Sequence, residues 1–338
     1  MDMRTRREGA SNAGGGRIAR ALWHVAPGRA ELRAQELARP AENEIVAKTL
    51  YSAISRGTER LIFNGQAPES EYGAMRAPMQ EGDFPFPVKY GYCAVARVEA
   101  GPPDWAGRIV FALHPHQDMF VAPASLVARV PDAVPPARAT LAANMETALN
   151  ALWDSGAGPG DRIAVFGGGA VGLLTTWLAA RLPGADVTLI DPDDSRAPIA
   201  RAFGARFETG AGGVRENDVV FHASATSPGL AAAIAACGLE ARLVELSWYG
   251  ARNVEAPLGG AFHARRLQIV GSQVGHVAPS RRPRWNHARR IAKALELLAD
   301  DRLDMLLAER VAFTALPQEL PRLLASGASG VTPLVVYD

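Results

Sequence analysis

Three glycines spaced as Gly167-x-Gly169-x-x-Gly172 lie between an apolar run, Ile163 to Phe166, and a Leu- and Ala-rich stretch, Ala170 to Leu182. A second β-like run, Val187 to Ile190, ends on Asp191. The order is strand, glycine turn, helix, strand, acid, which a dinucleotide site requires. Gly167 permits the tight turn, Gly169 keeps side chains off the pyrophosphate, and Gly172 lets the helix lie on the strand. Ala170 and Val171 open a helix whose free N–H groups and positive dipole end suit phosphates. Asp191 would accept ribose hydroxyls and repel a 2′-phosphate, favouring NAD over NADP, although the nearby Arg196 could reverse that preference. Ser224, Ser247 and Ser272, at the ends of later β-like runs, complete the candidate cofactor set.

A second group of residues has metal-ligand chemistry. His114-x-His116 would share one face if the segment were a strand, and Glu146 could add a carboxylate. Pro115 between them argues for a loop, so a polar or substrate-contacting role is favoured over metal binding. The other histidines, among them His222, His263, His276 and His287, lack ligand spacing.

The elements that must position these groups fall into two patterns. From Ile18 to about Pro131 the chain shows short β-like runs broken by Gly and Pro, which suggests a compact barrel or sandwich. Within it, Asn64 to Tyr92 reads as a long loop, either a lid or a tolerated insertion. Helical periodicity starts at Arg138 and runs to Trp153. Alternating βα units follow through 267–274, with Ser195 as a cap for the second helix, Pro198 in its first turn and Gly204 just past its end. Such alternation means a doubly wound parallel sheet about six strands wide. A basic patch, Arg281, Arg282 and Arg284, reads as solvated surface. An amphipathic helix at about 285–299, a helix at 316–325 and a strand at 331–337 close the chain. The organisation expected is a disordered tail (1–17), a β-rich domain (18–134), a nucleotide domain (135–275) and a return segment (276–338). Leu267 to Val274 should form the sheet's edge, a ready pairing surface for a homodimer.

Composition excludes several classes. A chain of 338 residues supports two domains, and a formal charge of +1 gives no reason to expect nucleic acid or an anionic membrane. Two cysteines are too few for a disulfide scaffold or a four-cysteine metal site. There is no apolar run long enough to span a membrane, and the Arg-rich start lacks the apolar core of a signal peptide. A cytoplasmic protein is the expectation.

The order of these parts resembles the medium-chain dehydrogenase/reductase superfamily. Gly57-Thr58-Glu59 is similar to its Gly-Thr/Ser-Asp segment, and Pro87 to Val98 to its P-x-x-x-G-H-E-x-x-G-x-V segment. Gly107 to Phe111 is similar to its G-D-R-V strand, and Asn144 to Ala148 to part of its interdomain helix. The glycine motif is that of the alcohol, polyol and threonine dehydrogenase branch. Ser-Arg-Gly-Thr-Glu and Tyr-Gly-Tyr resemble members akin to bacteriochlorophyllide dehydrogenase.

The resemblance implies a GroES-like β-barrel catalytic domain, a Rossmann domain, and interconversion of an alcohol with a ketone or aldehyde by hydride transfer. The sequence departs from the family's catalytic zinc. Arg56, or Ser55 if one residue is inserted, replaces the first ligand; Tyr92 and Cys93 replace the other two; Glu146 stands where some relatives keep a carboxylate near zinc. The structural zinc lobe is replaced by the short stretch Ala112 to Asp118. No zinc is therefore expected, and Arg56, Thr58, Tyr92 and Glu146 form the candidate catalytic set. Thr58 matches the proton-relay position, and Arg56 and Tyr92 would hold a developing alkoxide. Against this, Arg56 would merely pair with Glu59 or Glu146. Tyr51, Phe63, Tyr92, Trp248 and Tyr249 offer aromatic surface for a bulky substrate. An enoyl or quinone reductase, and a non-catalytic NAD(H)-binding sensor, remain open alternatives.

Overall fold

The computed structural model describes residues 17–338. The tail expected at the start falls almost wholly outside the described residues.

Residues 162–271 form one parallel sheet. Its strands lie in the order Arg206–Glu208, Asp186–Ile190, Arg162–Phe166, Asn217–His222, Cys237–Glu245, Gln268–Gly271. All five pairings are parallel. The central strands, Ile163–Phe166 and Val219–His222, are buried throughout, as a sheet covered on both faces demands. Strand order reverses between Arg162–Phe166 and Asn217–His222, which creates a crevice at their carboxyl ends, where ligands bind in such sheets. The glycine-turn helix spans Ala170–Ala179 and is preceded by Gly169 in extended conformation.

The β-rich part forms two sheets. One has four strands in the order Arg29–Glu36, Ile18–Ala26, Val88–Lys89, Glu81–Gly82. The other runs Leu307–Ala312, Thr332–Val336, Glu44–Ala53, Ala94–Ala100, Ile109–Ala112, Val127–Arg129, and Met119–Pro123 pairs with Glu44–Ala53. The chain's last strand thus pairs antiparallel with Glu44–Ala53, joining distant partners such as Val335 and Ser52 in one sheet. The Asn64–Tyr92 stretch is not a bare loop: it carries the two short strands Glu81–Gly82 and Val88–Lys89.

A helix at Ala142–Ser155 links the two parts, separated from a short helix, Pro136–Ala139, by the turn at Thr140–Leu141. The single helix expected from Arg138 is therefore broken. The amphipathic helix His287–Leu297 packs on the linking helix, and buried Ala294 and Leu295 join the core that also takes Met145, Ala148 and Leu149. Ser195 does not cap the helix after Asp191. It sits inside the 3-10 turn Asp194–Arg196, and Asp193 caps that turn by accepting from the Ser195 N–H. Pro198 lies in the first turn of Ala197–Ala202, where its missing N–H costs nothing, and Gly204 takes a positive φ after it.

Candidate active site

On the nucleotide side the backbone itself makes the site. Gly167 has φ +107, and a Cβ there would stand 2.8 Å from the Ala223 carbonyl carbon. A Cβ on Gly172 would stand 1.8 Å from the Gly167 carbonyl oxygen, so only glycine lets the helix lie this close to the turn. At Gly169 a Cβ would meet nothing within 4 Å. The open space there is what a phosphate approaching the helix N-terminus requires. The first helical N–H groups receive no side-chain cap from Gly169.

The Asp191 carboxylate is fixed by two backbone donors. Its Oδ2 accepts from the Gly168 N–H at 2.6 Å and its Oδ1 from the Asp193 N–H at 2.8 Å. Arg196 lies over the glycine turn, pairs with Asp193 at 3.1 Å and donates to the Gly330 carbonyl at 2.9 Å. Beside it is a cavity of about 580 Å³ between Asp193–Ile199 and the Gly327–Val331 loop. These residues fit the adenosine half of a nicotinamide dinucleotide.

The serines at the strand ends are differently placed. Ser224 Oγ lies 2.7 Å from His222 Nε2, and Ser247 Oγ accepts from the Ala225 N–H at 3.0 Å. Ser272 is turned into the linking helix, donating to Asp154 Oδ2 at 2.7 Å. A cluster that sequence spacing did not reveal surrounds the first two. Fully buried His222 sits 2.8 Å from Glu245 Oε2, to which the Tyr249 hydroxyl donates at 3.0 Å. The pair arises because His222 and Glu245 face each other in register on adjacent strands. Burial, and then that carboxylate, pushes the Tyr249 phenol above its usual range.

The β-rich side of the crevice corrects several expectations. Arg56 does not face Tyr92, nor does it pair with Glu59 or Glu146. Its guanidinium donates to the carbonyls of Ala328, Ser329 and Gly330 at 2.7–3.1 Å. Ser55 is the residue that meets Tyr92 through its side chain, and Asn144 Nδ2 donates to Ser55 Oγ at 3.4 Å. Desolvation is the main cause that holds the Tyr92 phenol well above its usual range, with Cys93, Tyr90 and Glu59 adding to it. Thr58 is part-exposed on the helix Arg56–Phe63.

Glu146 is also misplaced by sequence reasoning. It is buried in an ion pair with Arg290, Nε to Oε1 2.9 Å, with side-chain exposures of 7% and 1%. Arg290 also donates to Asn150 Oδ1 at 2.6 Å. Asn144, not Glu146, is the linking-helix residue that reaches the β-rich side, where it also meets Cys93 Sγ at 3.8 Å.

His114 and His116 point to different environments. His114 stacks on Phe120 at 4.1 Å between ring centroids, and burial lowers its pKa to about 3. His116 Nε2 lies 2.9 Å from Glu59 Oε2 and Nδ1 lies 2.7 Å from Ser52 Oγ. Among the described residues no group of three His, Cys, Asp or Glu side chains is gathered to hold a metal. The Cys93 thiol is pushed well up by burial and then by Glu59. At the positions that resemble the family's ligands stand Ser55 or Arg56, Tyr92 and Cys93, of which only Cys93 is a common zinc donor.

Of the aromatic residues, Phe63 is core, packed in one cluster with Leu22 and Val311. Tyr92 and Trp248 instead border a cluster of Ile62, Phe84, Val88 and Tyr90. Trp248 crosses from the nucleotide side, and the Ala251 N–H donates to the Gln66 carbonyl at 3.0 Å beside it.

No family model matches the sequence. Solved structures do. 2R,3R-butanediol dehydrogenase from Bacillus subtilis superposes with a TM-score of 0.76 at 16% identity, covering 95% of this chain and 100% of that one. The chain has the fold of these dehydrogenases. Acetophenone reductase from Geotrichum candidum NBRC 4597, solved with NAD, gives 0.75 at 16% identity, with 94% and 97% covered. Galactitol-1-phosphate dehydrogenase from Escherichia coli gives 0.75 at 16% identity, with 94% and 99% covered. The match extends over both the β-rich part and the parallel sheet.

Proposed function

We propose that the protein is a zinc-independent, NAD-dependent oxidoreductase that interconverts an alcohol and a ketone or aldehyde. One observation carries the reading. The uncapped helix N-terminus behind Gly169 opens on free space at the switch point of the sheet, with Asp191 fixed alongside. The fold likeness to acetophenone reductase in complex with NAD supports a nicotinamide cofactor.

The bound cofactor supplies the hydride chemistry. Asp191 presents its remaining lone pairs to the ribose hydroxyls. Arg196, already engaged by Asp193 and Gly330, is a poor partner for a 2′-phosphate, which favours NAD. Tyr92 is the donor for the substrate oxygen: a phenol kept protonated by desolvation can donate to a developing alkoxide. Ser55 and Asn144 orient it. The aromatic border of Tyr92 and Trp248 suits a bulky, flat substrate. A homodimer through the Gln268–Gly271 edge is part of this proposal, since Gln268, Ile269 and Gly271 are exposed there. A monomer by light scattering at micromolar concentration would contradict that part.

The test is a binding titration with NADH and NADPH followed by a panel of alcohols, ketones and enones, with metal analysis on protein purified without chelator. Turnover of a carbonyl without stoichiometric zinc supports the reading. Turnover of enones alone marks a C=C reductase. Tight NADH binding with no turnover marks a sensor.

A further inference from the structure

The basic stretch that follows the nucleotide sheet has no role in the account above. Between Glu255 and Glu296 the chain carries eight Lys and Arg and no Asp or Glu, although its formal charge as a whole is only +1. Four of those cations are matched: Arg265 pairs with Glu216, Arg266 with Glu240, Arg290 with Glu146 and Lys293 with Glu296. Arg281, Arg282, Arg284 and Arg289 are exposed, and none has a carboxylate within 4.0 Å among the described residues. Asp154 of the linking helix lies in the field of Arg282, but its Oδ2 is taken by Ser272 Oγ at 2.7 Å and Asn150 Nδ2 at 2.9 Å.

These cations are held in place rather than free. Arg281 lies over the Trp153 ring at 5.6 Å, Trp153 meets Trp285 at 4.7 Å between ring centroids, and Arg289 lies over Trp285 at 4.0 Å. The result is a ladder of Arg, Trp, Trp and Arg. One tryptophan comes from the linking helix and the other from the turn before His287–Leu297. Arg282 is fixed at the side of the ladder, its Nε donating to the Val277 carbonyl at 2.9 Å. A guanidinium stacked on a ring keeps its N–H edge for an acceptor, and it has less freedom left to lose when one arrives.

We infer that the Arg281–Trp153–Trp285–Arg289 ladder, with Arg282 and Arg284, is a docking surface for an acidic segment of a partner protein. Four guanidiniums offer only donors, so the occupant is anionic. Each ring is already engaged by a guanidinium and by the other ring, which removes the open platform on which single-stranded nucleic acid stacks its bases. None of the exposed large hydrophobic side chains lies between Gly275 and Lys293, so the surface has nothing to insert into a lipid layer. Carboxylates suit it: they are planar, and a guanidinium takes them through two parallel hydrogen bonds. The ladder's steps are spanned by about four extended residues, so a short run of Asp or Glu reaches both ends. Trp and Arg are also the side chains on which protein interfaces concentrate their binding energy. Trp153 and Asn144 share the linking helix, so the docked segment lies roughly 13 Å along its axis from the residue that reaches Ser55. The inference stands apart from the alcohol–carbonyl reading.

The test uses the full chain and fluorescein-labelled octa-glutamate, with binding followed by fluorescence anisotropy. Octa-glutamate should bind at about 50 mM salt and weaken toward about 200 mM, and octa-glutamine should not bind. Arg281→Glu with Arg284→Glu should lower the affinity by about tenfold or more. Arg310→Glu, on the edge strand Leu307–Ala312, should change it by less than about twofold. Trp285→Leu keeps every charge and removes the ladder, and it should weaken binding by about fivefold. No binding of octa-glutamate overturns the inference. So do equal losses in the Arg281/Arg284 and Arg310 variants, or full affinity in a folded Trp285→Leu, since either marks a diffuse field and not a built surface. If Trp285→Leu does not fold, the two charge reversals decide. Tighter binding of oligothymidylate or of phosphatidylserine vesicles than of octa-glutamate at the same salt overturns it in favour of nucleic acid or membrane. NADH affinity, measured on the same samples, should not move in any variant, so this inference and the oxidoreductase reading fail separately.

Discussion

The two walls of the crevice are built in opposite ways. On the nucleotide wall the working groups are backbone: a turn, a helix end, and one carboxylate held by two N–H donors. On the β-rich wall the groups that meet are side chains from positions 52, 55, 59, 92, 116, 144 and 337, joined only by folding. A backbone site tolerates almost no change in local shape but can be written in six contiguous residues. A side-chain site can be rewritten residue by residue. The comparison teaches that cofactor binding and substrate chemistry fail by different mutations, for different physical reasons.

The sharpest way to break it is within the glycine motif. Gly172→Ala places a Cβ at 1.8 Å from a backbone oxygen, which no side-chain rotation relieves. It should lose the folded nucleotide domain, seen as a large fall in Tm and no NADH binding. Gly169→Ala meets nothing within 4 Å, so Tm should hold while NADH affinity falls by tenfold or more. Equal effects of the two on Tm would contradict the division of roles.

Next in size is the ion pair under the linking helix. Arg290→Met leaves Glu146 buried without a partner and should cost about 3–5 kcal/mol in denaturant unfolding. Burial already pushes the Glu146 pKa up against the pull of Arg290. Arg290→Met with Glu146→Met should recover most of the loss. Glu146→Gln in the intact pair should leave the pH profile of kcat unmoved, because Glu146 serves packing rather than chemistry.

The nucleotide wall was legible because its signal is local. Gly167, Gly169, Gly172 and Asp191 lie within one βα unit, and each is chosen by geometry that the spacing states. The other wall was legible only in part. That Arg56, Tyr92 and Cys93 stand where the family's ligands would be could be read in the chain. That Ser55 rather than Arg56 faces Tyr92 depends on where the helix Arg56–Phe63 starts, and that Glu146 turns to Arg290 depends on the phase of the linking helix. The pairing of His116 with Glu59, and of His222 with Glu245, needs strand register that periodicity does not specify.

A smaller effect concerns acid. Burial lowers the pKa of His24 and of His114 to about 3, and neither ring nitrogen of His24 finds a partner. In the unfolded chain both histidines bind protons below about pH 6.5, whereas folded they stay neutral until about pH 3. The unfolded state therefore holds more protons in that window, and stability falls as pH drops through it, by up to about 1.4 kcal/mol per pH unit for each residue. His24→Leu should flatten the slope between pH 6 and 4 in urea melts. A slope equal to that of the wild type would remove His24 from the account.

The smallest expected change tests the cofactor preference. Asp191→Ala should lower NADH affinity about tenfold, the loss of one well-placed charged acceptor, and bring NADPH closer to it. Tighter wild-type binding of NADPH than of NADH would reverse the assignment.

The central claim is that a protonated phenol, and not a metal, meets the substrate oxygen. It is tested most directly by kcat for Tyr92→Phe on the best carbonyl substrate of the wild type, with NADH affinity measured on the same sample. The account predicts a fall of about 10²- to 10³-fold in kcat with unchanged NADH affinity. Wild-type turnover by Tyr92→Phe would contradict it.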